Sequence, residues 1–344
     1  MINNFGTYRA KAAAAAEVLQ GYYDPALGLY ADGVERWWPS ATALESVIDY
    51  MTLTNSAAYD DTIETTFVNA QKQARGFINA YYDDEGWWAV AWIKAYDFTG
   101  DEKYLRMAQS IFDDLSSGWD TETCGGGIWW KKPAEYKAAI QNELFLVVAA
   151  RLHQRSGGGD SRYLEWAEKE WEWFNASGMI NTSSLVNNGL DESCENDGGT
   201  TWTYNQGVIL SGLVELSRIT GDEALLDVAG AIADAAIATL RYPSGILQEP
   251  CEPGGTCNDD QECFKGIFVR YLAQLYAHLP ADDQRRDRYR KFLTSNADSV
   301  WANDRSVSNQ FDIRWVGPFE KVSVPTQTAA LDAFNAAIPF DPPQ

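Results

Sequence analysis

The sequence predicts an all-α fold: an (α/α)6 barrel of about twelve helices, with the active-site groove at its long-loop end. Three observations carry this. Apolar residues recur at the helical period along most of the chain, and strand signals are few. One kind of helix junction repeats: Thr99-Gly100-Asp101-Glu102 and Thr220-Gly221-Asp222-Glu223, with Gly158-Gly159-Asp160-Ser161-Arg162-Tyr163-Leu164 similar to Gly100 through Leu105. In each, a helix ends at Gly and the next opens on a capping Asp. Third, these tight turns alternate with long loops rich in Gly and Trp. Helical hairpins of this kind either stack as an open solenoid or close into a ring. Twelve helices make six hairpins, and the expected form is a closed double ring, one domain over residues 1–344.

In chain order, the first helix covers about 7–20, is Ala-rich and closes near Gly21. A loop through Asp24-Pro25 leads to Trp37-Trp38-Pro39, and Ser40 is expected to cap a helix to about Thr54. A helix over roughly 58–79 follows, then a turn at Asp83-Asp84 that introduces a helix to about Phe98, then 101–117. A long loop runs from Gly118 through Cys124-Gly125-Gly126-Gly127-Ile128-Trp129-Trp130. Helices near 136–156, 160–177, 203–219, 222–241, 264–279, 282–300 and 325–337 complete the set, with a Cys-rich loop before the tenth.

Composition bounds the partners. Hydrophobic residues make up 45% of 344, ample for a large core, and 14 Trp exceed what a core needs, which suggests a lined groove. The net charge of −22 argues against nucleic acid and anionic membranes, both polyanions, and suits a neutral substrate in an acidic or extracellular setting. Nothing indicates a large apolar face, so a monomer is expected. There is no apolar run long enough for a membrane span. Met1 to Phe5 is not a secretory signal, and the chain ends Pro-Phe-Asp-Pro-Pro-Gln without a hydrophobic tail; a free secreted protein whose signal has been removed is expected. Of the five Cys, three (Cys251, Cys257, Cys263) fall in one loop, and Cys124 and Cys194 lie elsewhere. The spacing is not that of a zinc site and the two His lie in other helices, so disulfides with at least one thiol left over are expected, with connectivity open and neither metal nor cofactor.

The chemistry centres on Tyr81-Tyr82-Asp83-Asp84-Glu85-Gly86-Trp87-Trp88. Two adjacent carboxylates inside a run of aromatic rings suit a sugar-cleaving site, since carboxylates supply the acid and the nucleophile or base while flat rings lie against sugar faces. Neighbours diverge by about 100° in a helix, but at a helix N-terminus or turn the pair could converge on one cleft. Charges so close should raise one pKa and leave a general acid. The chain has five Asp-Asp pairs, and only this one is embedded in aromatics.

Four segments resemble glycoside hydrolase family 76, the endo-α-1,6-mannanases: Tyr82-Asp83-Asp84-Glu85-Gly86-Trp87-Trp88, Cys124 to Trp130, Trp202-Thr203-Tyr204-Asn205-Gln206-Gly207 and Phe264-Lys265-Gly266-Ile267-Phe268. The resemblance runs from about Trp37 to Asp332. It implies an (α/α)6 barrel and retaining cleavage of α-1,6-linked mannose without a catalytic metal, Asp83 being the nucleophile and Asp84 the general acid/base. Members tend to carry Asp-Gly where this chain has Asn188-Gly189, which bears on affinity or subsite preference rather than reaction type. Tyr82, Trp88, Trp129, Trp130, Asn188, Trp202, Tyr204, Asn205 and Gln206 are the candidate substrate-binding residues, on α-mannan or its oligosaccharides. Asn142 reads as structural, Glu249 and Glu252 as rim, and Lys265 and Arg270 as ion-pair partners of the acidic loop. Three other readings stand beside hydrolysis: transfer of mannose-containing glycans to a sugar acceptor with the same machinery, mannan binding without turnover, and a helical scaffold that binds proteins, which would leave the Trp-rich loops unexplained.

Overall fold

The computed structural model describes residues 6–34, 36–157 and 160–342. Twelve α-helices are present among them: α1 Tyr8–Gln20, α2 Trp37–Thr54, α3 Asp60–Asn69, α4 Tyr82–Thr99, α5 Glu102–Ser117, α6 Ala139–Arg155, α7 Arg162–Ala176, α8 Thr203–Thr220, α9 Ala224–Thr239, α10 Phe264–His278, α11 Arg285–Asn303 and α12 Val324–Ala337. Two short antiparallel pairings accompany them, Tyr23–Asp24 with Leu29–Tyr30 and Lys137–Ala138 with Gly189–Leu190. The chain forms two compact units, one of residues up to Asn69 and from Ile237 onward, the other Ala70–Ala236.

In the second unit α4 packs on α5 and α6, and α6 on α7 and α8. The helices alternate in character. α6 is buried from Ala139 to Leu152 without a break, and α8 nearly so from Thr203 to Ser217, whereas α5 and α7 bury one stripe and expose the other. A helix apolar on all sides is enclosed, and one with a single apolar stripe covers it. Small residues set the spacing: a Cβ on Gly86 would stand 2.8 Å from Leu144, and one on Gly212 would stand 2.6 Å from Leu146. The repeated junctions form as their residues demand. Gly100 and Gly221 end α4 and α8 at φ 73° and 75°, and Asp101 and Asp222 accept from the amides of Lys103 and Ala224 at 3.0 Å each. Of the third junction, Gly158 and Gly159 lie outside the described residues; Asp160 accepts from the Arg162 amide.

In the first unit the fully buried α12 packs on α1, α2, α10 and α11. Arg270 of α10 is the hub. Its guanidinium, 8% exposed, pairs with Glu45 of α2 and, at 2.8 Å, with Asp332 of α12. Arg270 therefore ties three helices together rather than serving the acidic loop. Lys265 does serve that loop, pairing with Glu252 at 2.7 Å. Glu249 and Glu252 are buried, not on a rim.

Two helix boundaries differ from expectation. α2 starts at Trp37, because proline is tolerated in a first helical turn, and the Ser40 hydroxyl bonds the Tyr30 backbone instead of capping. The expected 58–79 helix stops at Asn69 and continues as two 3-10 turns, Ala70–Lys72 and Arg75–Phe77, where Gly76 and Phe77 turn left-handed at φ 69° and 61°. Cys124 pairs with Cys194 and Cys251 with Cys257, while Cys263 is free and buried.

Candidate active site

The acid pair lies in the first turn of α4. Tyr81 is the N-cap, so Asp83 and Asp84 fall two and three positions beyond it, half-buried, where a helix leaves amide N–H groups without intrahelical partners and carries partial positive charge. Asp83 is held from two sides: its Oδ1 accepts from the Asp84 amide at 3.0 Å and its Oδ2 from the Trp130 indole at 2.9 Å. Asp84 is held elsewhere, its Oδ2 accepting from the Asn79 side-chain amide at 2.6 Å. Two adjacent carboxylates thus carry different donors.

The loop before α4 and the strand-like segment after Trp129 are stitched together. The Tyr82 amide donates to the Trp130 carbonyl at 3.0 Å, and the Lys132 amide to the Ala80 carbonyl at 2.9 Å. This is why an indole 47 residues away reaches Asp83. Below it, Glu85 is wholly buried; burial pushes its carboxyl up to about 8, against the opposing pull of Lys132. Lys132 Nζ stands 2.6 Å from Glu85 and 2.6 Å from Asp114 of α5.

A second cluster adjoins the first along the same segment. The Trp130 amide donates to the Tyr136 carbonyl at 2.8 Å, and the Tyr136 hydroxyl donates to Asp197 while accepting from Asn188 Nδ2 at 3.1 Å. Gly189 is obligatory here, since a Cβ would meet the Tyr136 hydroxyl at 2.5 Å. Trp129 covers the Lys137 ammonium at 4.8 Å. Lys137 itself is buried, its ammonium held by the carbonyls of Asp120, Thr123 and Gly126, and burial lowers its pKa. Trp129, Tyr136, Lys137, Leu190, Asp191 and Glu192 line a cavity of about 420 Å³, with Thr123 and Cys124.

The structure sorts the remaining candidates. Trp202 and Tyr204 are half-buried at the N-terminus of α8. Four others are buried. Trp88 is fully buried between Phe77 and Trp92, with ring centroids at 4.8 and 5.7 Å. Tyr82 is 6% exposed, under the Lys132 ammonium and against Gly118. Gln206 is wholly buried and clamps Val186, accepting from its amide and donating to its carbonyl at 2.8 Å each. Asn205, also wholly buried, has no hydrogen-bond partner for either side-chain atom. Asn142 is structural, binding both backbone groups of Ile128. Asn79, Lys132, Tyr136 and Asp197 are additions the sequence did not single out; only Asn79, an amide just ahead of an acid pair at a helix start, carries a local signal. Among the described residues no group of three or more His, Cys, Asp or Glu is arranged to hold a metal ion.

A helical scaffold that offers paired carboxylates with a half-buried tryptophan on one of them suits a carbohydrate-active enzyme. The chain belongs to glycosyl hydrolase family 76, whose profile matches residues 7–343. It is 28% identical to the mannan endo-1,6-alpha-mannosidase DFG5 of Candida albicans over 96% of this chain and 80% of that one. It is 27% identical to the mannan endo-1,6-alpha-mannosidase DCW1 of Saccharomyces cerevisiae, over 80% of this chain but 64% of the relative's length. Among solved structures it is similar to the GH76A alpha-1,6-mannanase of Salegentibacter sp. HEL1_6, with TM-score 0.86 and 25% identity over 96% and 98% of the two chains. Dfg5 of Chaetomium thermophilum, solved with glucosamine, gives TM-score 0.84 and 22% identity over 100% and 94%. The fold class is that of the family's α/α-barrel enzymes.

Proposed function

We propose that this protein is a retaining endo-hydrolase of α-1,6-mannosidic linkages in mannan, with Asp83 as nucleophile and Asp84 as general acid/base. The observation that carries this reading is the adjacent pair in the first turn of α4, each carboxylate held by a different donor, with the Trp130 indole on Asp83. Asp83, fixed by two donors and the helix N-terminus, suits a carboxylate that stays ionised. It attacks the anomeric carbon while Asp84 gives its proton to the departing oxygen. Asp84 then takes a proton from water, which attacks the mannosyl-enzyme ester from the opposite face, and two inversions give net retention. Trp129, Trp130, Asn188, Trp202 and Tyr204, none of them fully buried, are our candidates for contact with sugar.

The names of the fungal relatives and of the Salegentibacter enzyme support the linkage. The family match along residues 7–343 supports one catalytic domain over the chain. Two disulfides favour an oxidising, extracellular setting, and no described helix is long and apolar enough to cross a membrane. The large apolar side chains exposed among the described residues are Val34, Val68 and Val307, which supports a monomer.

The test is reducing-end release from unbranched α-1,6-mannan, with Asp83→Asn and Asp84→Asn alongside. Short oligosaccharides from the native chain and near-complete loss in both variants are expected, with an α-anomer as first product by NMR. A β-anomer first overturns the double displacement. Inert protein that still binds mannan points to transfer or to binding alone, and an acceptor screen separates those two.

A further inference from the structure

Asn79 reaches Asp84 because of a chain of local constraints. The 3-10 turn before it ends at Phe77, which is wholly buried with its ring 4.8 Å from both Trp88 and Trp92. That packing holds Phe77 left-handed at φ 61°, a conformation bulky residues avoid unless the surroundings impose it. The chain is thereby turned so that the Asn79 amide N–H donates to buried Glu85 Oε1 at 3.0 Å, the same oxygen that receives Lys132 Nζ. The side chain of Asn79 is fixed at both ends. Its Oδ1 accepts from the Tyr81 amide at 2.7 Å, which settles which end is oxygen, and its Nδ2 then faces Asp84 Oδ2 at 2.6 Å. An asparagine needed only for the turn would be satisfied by the Tyr81 bond.

We propose that Asn79, anchored on the Lys132–Glu85 pair, is a positioning residue for Asp84: its side-chain amide orients the carboxyl group toward the leaving oxygen and sets how readily it gives up its proton. This rests on the assignment of Asp84 as acid/base. Donation to a carboxylate favours the ionised form, so the amide holds Asp84 more acidic than it would otherwise be and ready to protonate a poor leaving group. The ionisable groups gathered about this corner are Asp83 and Glu85 of α4, Asp114 of α5, Lys132 of the following loop, and Tyr81 and Tyr82. All remain when Asn79 is changed.

The experiment compares kcat/KM across pH for the native chain, Asn79→Ala, Asn79→Asp and Asp84→Ala. Two substrates are used: α-1,6-mannan, and a 2,4-dinitrophenyl glycoside of α-1,6-mannobiose, whose leaving group needs no proton. Asn79→Asp keeps an oxygen for the Tyr81 amide but replaces the donor by a carboxylate beside Asp84, whose like charge raises Asp84 further. It serves where Asn79→Ala does not fold, with a larger upward move of the basic limb expected. Loss of the donor is expected to lower kcat/KM on mannan about tenfold or more, with a loss at least about fivefold smaller on the aryl glycoside. The basic limb of the mannan profile is expected to move up by about one pH unit, since a hydrogen bond to a charged group is worth roughly that much. Equal losses on both substrates with an unmoved basic limb, or no loss at all, overturn the proposal. Asp84→Ala tells its failure from that of the catalytic reading: full activity there removes Asp84 from the chemistry and the proposal with it, whereas inactivity there with equal Asn79 losses overturns only the role of Asn79.

Discussion

The Trp130 indole donates to Asp83 Oδ2 over 2.9 Å, binding a loop tryptophan to a helix-start carboxylate 47 residues earlier in the chain. The contact is possible because backbone bonds from Tyr82 and Lys132 lay the two segments side by side. Trp130 therefore holds a carboxylate, whether or not its ring also meets sugar. Trp130→Phe keeps a ring beside Tyr81, now 5.1 Å away, but removes the donor. With one donor fewer the ionised form of Asp83 is disfavoured. The acidic limb of kcat/KM should move up by about one pH unit and the value at optimum fall about tenfold, the size expected for one bond to a charged group. A profile that keeps its acidic limb would show that the indole serves only as a surface for sugar.

Gly86 follows the acid pair closely and sets the approach of α4 to α6. An added Cβ would meet the Leu144 Cβ at 2.8 Å, closer than such atoms come. Gly86→Ala must push the two helices apart, at a cost of about 1–3 kcal/mol. A lower unfolding temperature and a lower kcat should appear together, because the carboxylates sit on the turn that moves. An unchanged melting curve by calorimetry would show that Leu144 can give way.

The helices and their junctions were legible because period and punctuation are local. Thr99-Gly100-Asp101 and Thr220-Gly221-Asp222 carry both the left-handed stop and the next cap within three residues. That the acid pair opens a helix was legible for the same reason. The substrate list was less so. α4 and α8 are buried on nearly every side, so periodicity gives no face that would have separated Trp88 or Gln206, in the core, from Tyr204, half-exposed. Tyr136 and Asp197 meet across 61 residues and depend on two loops lying together, which no short window encodes. Pro39 read as a stop before a helix and is in fact inside its first turn.

The two disulfides differ in the chain they close. Cys124–Cys194 spans 70 residues and joins the loops carrying Trp129 and Asn188, while Cys251–Cys257 spans 6. Restricting the unfolded chain stabilises more for longer loops, by about 4 kcal/mol against about 2 in the chain-entropy account. Paired Cys124→Ser and Cys194→Ser should thus lower the urea midpoint more than paired Cys251→Ser and Cys257→Ser, and should also raise KM for mannan. Equal midpoints would mean that the long loop is already constrained in the unfolded state.

Stability should fall as pH rises across the neutral range. Burial pushes Asp304 up to about 9, Asp312 adding to it and Lys265 opposing, and burial pushes Glu85 up to about 8. In the unfolded chain both titrate near about 4. Between about pH 4 and 8–9 the folded protein holds protons that the unfolded chain has released, so the unfolding free energy declines as pH rises. The contribution is complete below the unfolded values and is lost as the folded values are passed. The urea midpoint should accordingly be higher at pH 5 than at pH 8. The net charge of −22 at pH 7 acts in the same direction through self-repulsion, but salt screens that more than it screens buried groups. Repeating the comparison in high salt isolates the buried share. Asp304→Asn removes one of the two titrations while leaving an oxygen for the Asp312 amide, which Asp304 Oδ2 now receives at 3.0 Å. The variant should show a smaller gap between the two pH values, and should exceed the native chain in stability at pH 8. A gap equal to that of the native chain in high salt would mean that Asp304 does not hold its proton in the folded protein.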